Sequence, residues 1–294
     1  MSIAIGFVGL GVMGYPMAGH LQKHGHPVTV FNRSTNRAKQ WVDEYGGAMA
    51  TSPREVALAS DVIFTCVGND HDLRDVVLGV DGVAQGMSSG NILVDHTTVS
   101  AGIARELNNV VQQKACCFLD APVSGGQKGA ENASLSIMVG GKLTDYEKVL
   151  PILDVYAKAV TLIGEVGSGQ LCKMANQICI AGLLEGLAEA LHFIDNANLD
   201  VDKVLSVISK GAAQSWQMDN RAQTMVNDDF EHGFAVDWMR KDLAIVLDEA
   251  RTNGSRLPVT ALVDQFYSEV QAMGGNRWDT SSLLKRLNTP DRHT

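Results

Sequence analysis

The chain has 294 residues, of which 45% are hydrophobic, enough for one large domain or two ordinary domains with a folded core. Its formal net charge of −9 argues against nucleic acid or an anionic membrane as the main partner, although a local basic site could still bind a small acid. No Lys or Arg precedes Lys23, and the five cysteines have no metal-like spacing. We therefore expect a cytoplasmic protein without a secretory signal, a membrane span or a metal.

The glycine pattern Gly9-x-Gly11-x-x-Gly14 directly follows residues 3–8, an uncharged apolar run that is typical of a buried strand. Beyond it, Met13, Met17 and Leu21 recur four residues apart, which indicates a helix. In such a strand–turn–helix unit the three glycines serve the tight turn, the close approach of a pyrophosphate and the packing of helix on strand. Because phosphates bind at helix N-termini, we predict a dinucleotide site in the turn, at Gly9, Leu10, Gly11, Val12, Met13 and Gly14.

Up to about residue 164 short apolar runs alternate with helical segments. Strands are predicted at 3–8, 27–31, 61–67, 91–95, 117–121 and 135–141. Strands separated by helices indicate a doubly wound, mostly parallel sheet. We therefore assign residues 1–164 to an α/β nucleotide-binding domain of the Rossmann type.

After residue 164 the strand pattern stops and helical spacing continues. A long helix is predicted within 165–196, followed by helices at 200–210, 215–226, 236–253 and 258–273, with Gly or Pro at several of their boundaries. Residues 165–294 are assigned to an all-α domain joined to the first domain through the linking helix 165–196. We expect a frayed tail from about Asn288.

The residues after the second strand favour NADP as the cofactor, with NAD possible. NAD enzymes usually have Asp or Glu there, to bind the ribose hydroxyls. This chain has the neutral Asn32, which avoids repulsion of a 2′-phosphate, and Arg33, whose guanidinium can pair with one. The hydroxyls of Ser34 and Thr35 could add hydrogen bonds. The alternative is a solvated arginine in an ordinary turn.

Three stretches carry a more specific signal, namely 6–21 around the glycine turn, 120–141 and 167–177. The second begins Asp120-Ala121-Pro122-Val123-Ser124-Gly125-Gly126, and the third includes Lys173, Asn176 and Gln177. In this order they resemble the β-hydroxyacid dehydrogenase family, which includes 3-hydroxyisobutyrate dehydrogenase, tartronate semialdehyde reductase and the succinic and glyoxylic semialdehyde reductases. The resemblance extends over about residues 3–287, essentially the whole chain.

This resemblance implies an oxidoreductase that transfers hydride between nicotinamide and a short β-hydroxy acid or its semialdehyde. Lys173 matches the catalytic lysine of the family, a general acid/base, and Asn176 matches the asparagine that orients the substrate. Gln177 stands where many members have a second asparagine. Helical spacing by itself places these three residues on one face of the long helix, although most lysines are simply exposed.

A substrate carboxylate has a candidate site in the loop that begins at Ser124, Gly125 and Gly126. Consecutive backbone N–H groups with little side-chain cover can hold a carboxylate, and the loop follows the carboxyl end of a strand. The resemblance implies the same role, whereas the alternative is an ordinary turn. It also implies cofactor contacts at Val67, Thr97, Thr98 and Lys241, and we leave His96 unassigned because the family varies there.

Several alternatives remain open at this level. A phosphogluconate-type decarboxylating dehydrogenase needs a longer helical half, and relatives that are imine reductases or catalytically silent NADP-binding scaffolds typically replace the lysine that Lys173 matches. The expected partner is a small carboxylate substrate, and long apolar helical faces together with the resemblance imply a homodimer or homotetramer. No residue identifies the hydroxy acid, because a methyl or hydroxyl difference changes binding by only ~1–3 kcal/mol.

Overall fold

The computed structural model describes residues 3–288. Within that range the chain forms nine strands, namely β1 (Ile5–Val8), β2 (Val28–Phe31), β3 (Ala48–Met49), β4 (Val62–Thr65), β5 (Ile92–Asp95), β6 (Cys117–Asp120), β7 (Val123–Ser124), β8 (Leu135–Gly140) and β9 (Ala157–Gly164). The helices of the first half are α1 (Gly14–Lys23), α2 (Thr35–Tyr45), α3 (Pro53–Leu58), α4 (Asp70–Leu78), α5 (Val83–Gly86), α6 (Ala101–Gln112), α7 (Gly126–Glu131) and α8 (Leu143–Leu153).

The remaining described elements are helical. They are α9 (Ser168–Asn196), α10 (Val201–Ile208), α11 (Trp216–Val226), α12 (Val236–Asn253), α13 (Pro258–Ala272), a 3-10 helix at Thr280–Ser282 and α14 (Leu283–Leu287). The frayed tail that we predict after Asn288 lies outside the described residues.

All nine strands of the described range belong to one sheet with the order β3-β2-β1-β4-β5-β6-β8-β7, and β9 pairs with β8. Strands β1 to β6 run parallel, with Phe7 of β1 opposite Val30 on one side and Phe64 on the other. Strand β8 is antiparallel to β6 and β7, and β9 is parallel to β8. The predicted doubly wound, mostly parallel sheet is confirmed. The strand order reverses at β1 and β4, and ligands bind such sheets beyond the carboxyl ends of the strands at the reversal.

Helices bury both faces of the sheet. On one face the rings of Phe7 and Phe64 stack with centroids 5.8 Å apart, in the same apolar cluster as Trp41 of α2. On the other face Ile63 of β4 packs in a cluster with Leu107 of α6. Strands buried on both faces are apolar without alternation, which is why the central strands were readable from the sequence.

Three strands were missed by the sequence analysis. Strands β3 and β7 have two residues each, and β7 lies in a segment that we interpreted as a loop. Strand β9 spans eight residues, but every one of them is at least partly exposed and Lys158 is among them. Their pairing with neighbouring strands, rather than a local apolar pattern, holds these segments extended.

The chain divides into two compact units, and the boundary falls between Lys173 and Met174, inside α9. The domain boundary predicted at 164 lies just before this helix, which runs unbroken from Ser168 to Asn196. In the second unit, α12 has the predicted bounds and is closed by Gly254 at φ +79°, a left-handed conformation that favours glycine. The all-α character of this half is confirmed.

The core of the second unit is a single apolar cluster. Leu184 and Leu191 of α9 pack there with Met239 of α12 and Tyr267 of α13. The Tyr267 hydroxyl, which is buried, donates to the Thr280 carbonyl at 3.1 Å. Among the described helices α9 is long and apolar enough to cross a membrane by length and composition, a property that the core helix of a soluble protein shares.

Candidate active site

The three glycines of the turn after β1 differ in the space around them. Gly9 has φ +100°, and a Cβ there would lie 2.2 Å from the Cys66 carbonyl oxygen. A Cβ on Gly14 would lie 2.0 Å from the Gly9 carbonyl oxygen, whereas one on Gly11 would meet nothing within 4 Å. No side chain caps the N-terminus of α1. An open approach at Gly11 beside uncapped backbone N–H groups fits the pyrophosphate of a dinucleotide.

Asn32 connects the end of β2 to this turn. Its Oδ1 accepts the Leu10 N–H at 2.9 Å, and its Nδ2 donates to the Ser34 carbonyl at 3.2 Å. The neighbouring Arg33 side chain is 94% exposed, with Nη1 3.9 Å from Asp72 Oδ1. Ser34 precedes α2 without a side-chain cap bond, and Thr35 begins that helix. An exposed guanidinium therefore stands beside an uncapped helix start.

Arg37 is a second cation at this turn, and the sequence analysis did not single it out. Its Nε donates to the Leu10 carbonyl at 3.2 Å, and its guanidinium lies 3.8 Å from the centroid of the Tyr15 ring. The sequence does contain a signal for Arg37, because it follows Arg33 by four residues. The hydrogen bond and the ring contact fix Arg37 against the turn, in contrast to the exposed Arg33.

Asp95 organises the carboxyl ends of β4 and β5. Its Oδ1 accepts the hydroxyls of Thr65 and Thr97, each at 2.7 Å, and the Thr97 N–H at 3.1 Å. Thr97 Oγ1 in turn accepts the Val67 N–H at 3.0 Å. The Thr97 hydroxyl and the Val67 N–H, both assigned to the cofactor by resemblance, therefore bind each other. Thr98 follows in a partly exposed position. Burial raises the pKa of Asp95 to about 7.

His96 is a structural residue. It is 2% exposed, with Nδ1 2.6 Å from the Ala121 carbonyl oxygen and Nε2 2.8 Å from the Tyr156 hydroxyl. A carbonyl can only accept, so Nδ1 carries the proton and Nε2 accepts from Tyr156. Burial lowers the pKa of His96 to about 4, which keeps the ring neutral. Both ring nitrogens are engaged, consistent with leaving His96 out of the catalytic group.

Asp120, at the end of β6, binds the first turn of α9. Its Oδ1 accepts the Gly167 N–H at 2.7 Å, and its Oδ2 accepts the Gln170 N–H at 2.9 Å. A Cβ on Gly169 would lie 2.7 Å from the Asp120 carbonyl oxygen, so the turn is pressed against the strand. Burial raises the pKa of Asp120 to about 6, although these N–H groups oppose the shift. Lys173, which is 8% exposed, follows on the next turn.

Gln170 joins the same helical turn to the segment after β5. Its Oε1 accepts the Val99 N–H at 3.1 Å, and its Nε2 donates to the Thr97 carbonyl at 2.7 Å. The side chain is fully buried. The start of α9 is therefore held at two strand ends, β5 through Gln170 and β6 through Asp120. Both residues lie in the stretches 120–141 and 167–177 of the sequence analysis, which assigned neither a role.

The predicted carboxylate site lies between β7 and α7. Gly125 has φ +133° and Gly126 has φ +61°, conformations that favour glycine, and both residues are exposed. A Cβ on Gly126 would meet nothing within 4 Å. Ser124 pairs with Ser136 of β8 and is partly exposed. The backbone of this turn is open to a small anion.

Within the second unit, four polar side chains are linked in series by two hydrogen bonds and one ion pair. Asn176 Nδ2 donates to Gln177 Oε1 at 2.8 Å, and Gln177 Nε2 donates to Asp242 Oδ2 at 2.7 Å. Lys241 Nζ lies 3.0 Å from Asp242 Oδ1. The structure therefore connects Asn176 and Lys241, two residues predicted for different ligands, through Gln177 and Asp242. The sequence analysis assigned no function to Asp242.

The described residues contain no group of three or more His, Cys, Asp and Glu side chains that could hold a metal ion. Backbone N–H groups face open space at two glycine turns, and Lys173 and Asn176 lie three residues apart on α9.

Comparisons with known proteins identify the family of this chain. The family model described as the NAD binding domain of 6-phosphogluconate dehydrogenase matches residues 4–164. The family model described as NAD-binding of NADP-dependent 3-hydroxyisobutyrate dehydrogenase matches residues 167–287. Together the two matches span nearly the whole chain and meet at the start of α9.

Individual relatives are similar over their full length. An uncharacterized oxidoreductase of Shewanella frigidimarina is 62% identical over 283 residues, which are 96% of this chain and 97% of that protein. A probable mitochondrial 3-hydroxyisobutyrate dehydrogenase-like protein of Arabidopsis thaliana is 43% identical, over 96% of this chain and 84% of that protein. The solved structure of Mycobacterium tuberculosis 3-hydroxyisobutyrate dehydrogenase with L-serine is 28% identical, with a TM-score of 0.90 over 98% of this chain and 100% of that one. This chain therefore belongs to the β-hydroxyacid dehydrogenase family, oxidoreductases that use a nicotinamide cofactor.

Proposed function

We propose that the protein is an NADP-preferring dehydrogenase or semialdehyde reductase that acts on a short β-hydroxy acid. The observation that carries this proposal is Lys173, a lysine only 8% exposed on a helix whose first turn is bound by Asp120 and Gln170. Lysine is rarely buried to this degree without a reason. Acid–base chemistry at a substrate oxygen suits a lysine in this position.

A nicotinamide cofactor, when bound, would supply the hydride chemistry, and the residues of this chain would move the proton. In the oxidation, Lys173 Nζ takes the proton from the substrate hydroxyl while a carbonyl forms. In the reduction, Lys173 returns that proton to the oxygen of the developing alcohol. Asn176, three residues further along α9, orients the substrate through its amide. The backbone N–H groups at Ser124, Gly125 and Gly126 hold the carboxylate.

The proposed preference for NADP rests on the end of β2. The Asn32 side chain is neutral and its oxygen accepts the Leu10 N–H, so it places no negative charge near a 2′-phosphate. Arg33 is exposed beside the start of α2 and can form a bidentate pair with a phosphate. An aspartate or glutamate at position 32 would instead favour the ribose hydroxyls of NAD.

We also propose that the protein is a homodimer or homotetramer. The second unit exposes large apolar side chains, and α10 has no buried residue although it carries five aliphatic ones. These exposed apolar side chains include Phe193, Leu199 and Val207, at 68%, 52% and 71%. A second copy of the chain would cover them. Light scattering coupled to gel filtration measures this directly, and a single monomer peak at micromolar concentration would contradict it.

Initial rates with a panel of short β-hydroxy acids and semialdehydes, each with NADP(H) and NAD(H), test the activity. Lys173→Ala should lower kcat by roughly 10²–10⁴-fold, the usual contribution of a general acid/base. Lys158→Ala, at an exposed lysine of β9, is the matched control and should keep the wild-type rate. An unchanged rate in Lys173→Ala would exclude the lysine mechanism. Cofactor binding without turnover of any substrate would favour a scaffold or an imine reductase.

A further inference from the structure

We propose that Asp242 is a positioning residue, which fixes the orientation of the Asn176 amide through Gln177. The inference rests on the substrate-orienting role given to Asn176 under the proposed function. Gln177 donates to Asp242 at 2.7 Å and Asn176 donates to Gln177 at 2.8 Å, and Lys241 forms an ion pair with Asp242 at 3.0 Å. This series of contacts joins α12 to α9 within the second unit.

Donor and acceptor types give this series a single direction. Lys241 Nζ lies 3.0 Å from Asp242 Oδ1, so the positive charge of the ammonium faces the carboxylate. A carboxylate can only accept, so Gln177 has to present its Nε2 hydrogens to Asp242 Oδ2. The Gln177 oxygen then faces Asn176 and has to be met by a donor, the Asn176 Nδ2. The negative charge on Asp242 thus decides which end of the Asn176 amide is engaged.

The remaining atoms of Asn176 are the ones a substrate needs. With one Nδ2 hydrogen on Gln177, the amide keeps its second N–H as a donor and Oδ1 as an acceptor. A reversed amide would place Oδ1 against Gln177 and leave two N–H groups and no acceptor. The two orientations therefore bind a hydroxyl-bearing acid differently, although their shapes are nearly the same.

Burial makes the direction persistent. Asp242 is 3% exposed and Gln177 is 2% exposed, and Gln177 Nε2 also lies 3.6 Å from Met239 Sδ. Water therefore has little access to replace either partner, and a reversed Gln177 would place oxygen against carboxylate oxygen. An unpaired buried polar group costs more than a hydrogen bond gains, so the reversed arrangement is strongly disfavoured. Asn176, at the end of the series, is only partly buried.

Asp242→Asn tests the inference, because asparagine can present either oxygen or nitrogen to Gln177. We expect kcat/KM for the hydroxy acid to fall by about 10- to 100-fold, the effect of losing a hydrogen bond to a charged group. The double variant Asp242→Asn/Gln177→Glu should recover most of this loss. In it the carboxylate at position 177 can only accept from Asn176, and the asparagine at 242 donates to it while accepting from Lys241.

A second double-mutant cycle is needed in case the buried glutamate of Gln177→Glu prevents folding. Gln177→Met removes both the donor and the acceptor, so it should lose as much kcat/KM as Asp242→Asn. Adding Asp242→Asn to Gln177→Met should then cause little further loss, because both act through one relay. Fluorescence titration with NADPH separates an effect on the cofactor through Lys241 from one on the acid. Asp264→Asn, at a buried carboxylate paired with Arg240 at 3.1 Å, is the control and should keep wild-type kcat/KM.

The outcomes distinguish the relay from the proposed function. Wild-type kcat/KM in Asp242→Asn, or additive losses in the second cycle, would overturn the relay alone, provided that Asn176→Ala is impaired. Wild-type activity in Asn176→Ala would overturn the orienting role of Asn176, and the relay with it. A loss in Asp242→Asn that Gln177→Glu reverses would establish the relay, since a merely destabilised domain gains nothing from a second buried substitution.

Discussion

The Asp120 carboxylate accepts the Gln170 N–H at 2.9 Å, which binds the end of β6 to the first turn of α9. Its other oxygen accepts the Gly167 N–H at 2.7 Å, so one side chain satisfies two of the N–H groups that a helix start leaves unpaired. Because Lys173 lies three residues after Gln170, this contact sets where the lysine stands relative to the sheet. A carboxylate at a helix start also interacts favourably with the helix dipole.

Asp120→Ala should destabilise the fold by about 1–3 kcal/mol, since two buried N–H groups lose their acceptor. It should also lower kcat, because the turn before Lys173 loses its attachment to β6. Urea unfolding and initial rates measure the two effects. Asp200→Ala, which removes the N-cap of α10, should cost about 1 kcal/mol without changing kcat. Equal kcat values in wild type and Asp120→Ala would contradict the attachment.

Gly14→Ala and Gly11→Ala should separate packing from ligand binding. A Cβ on Gly14 would lie 2.0 Å from the Gly9 carbonyl oxygen and 2.9 Å from Phe7 Cε1, and such overpacking costs about 1–3 kcal/mol or more. Gly11→Ala should fold like the wild type, because its Cβ meets nothing within 4 Å, yet it should weaken NADPH binding. Thermal unfolding and fluorescence titration measure both. Wild-type NADPH affinity in Gly11→Ala would show that the pyrophosphate lies elsewhere.

Arg33→Ala should reduce the ratio of kcat/KM with NADP to kcat/KM with NAD by about 10- to 100-fold, the effect of losing a charge-assisted bond to phosphate. Asn32→Asp should reduce the same ratio by repulsion, while its carboxylate can still accept the Leu10 N–H. The control is Arg74→Ala, which removes an exposed arginine paired with Glu106 and should leave the ratio unchanged. If the ratio stays constant in Arg33→Ala, the 2′-phosphate is bound by other residues.

Asp95 should make the protein less stable as the pH rises from about 4 to about 7. Its pKa in the folded protein is about 7, against about 3.9 in an unfolded chain, so the folded state binds the proton more tightly. The stabilisation is complete below the unfolded value and is lost as the pH rises through the folded one. Asparagine resembles the protonated acid. The free energy of unfolding of Asp95→Asn, relative to that of the wild type, should therefore rise between about pH 4.5 and about pH 7.5.

His96 should contribute the opposite slope in nearly the same range. Its pKa is lowered to about 4 in the folded protein, against about 6.5 when unfolded, so its stabilisation is lost as the pH falls. Urea unfolding of the wild type, Asp95→Asn and His96→Gln at several pH values resolves the two terms. A free energy difference between wild type and Asp95→Asn that does not vary with pH would show that Asp95 titrates normally.

The confirmed predictions concern features of the fold that are determined by residues close together in the sequence. The glycine spacing, the buried central strands and the close of α12 at Gly254 each depend on a short window of sequence. Strand β9 could not be found this way, because its residues are partly exposed and its extended form depends on pairing with β8. The same holds for β7, where Ser124 pairs with Ser136.

The sequence by itself determined the fold class, the glycine turn and the identity of Lys173 and Asn176 as candidates, because local spacing and motif order carry that information. Only the tertiary structure decided what holds them. Asp120 and Gln170 are 50 residues apart, and Gln177 and Asp242 are 65 apart. The hydrogen-bond partner of a buried carboxylate depends on which strands and helices pack together, and a local sequence pattern does not specify that packing. Hydrogen-bond polarity, fixed once those partners meet, then sets the direction of the relay to Asn176.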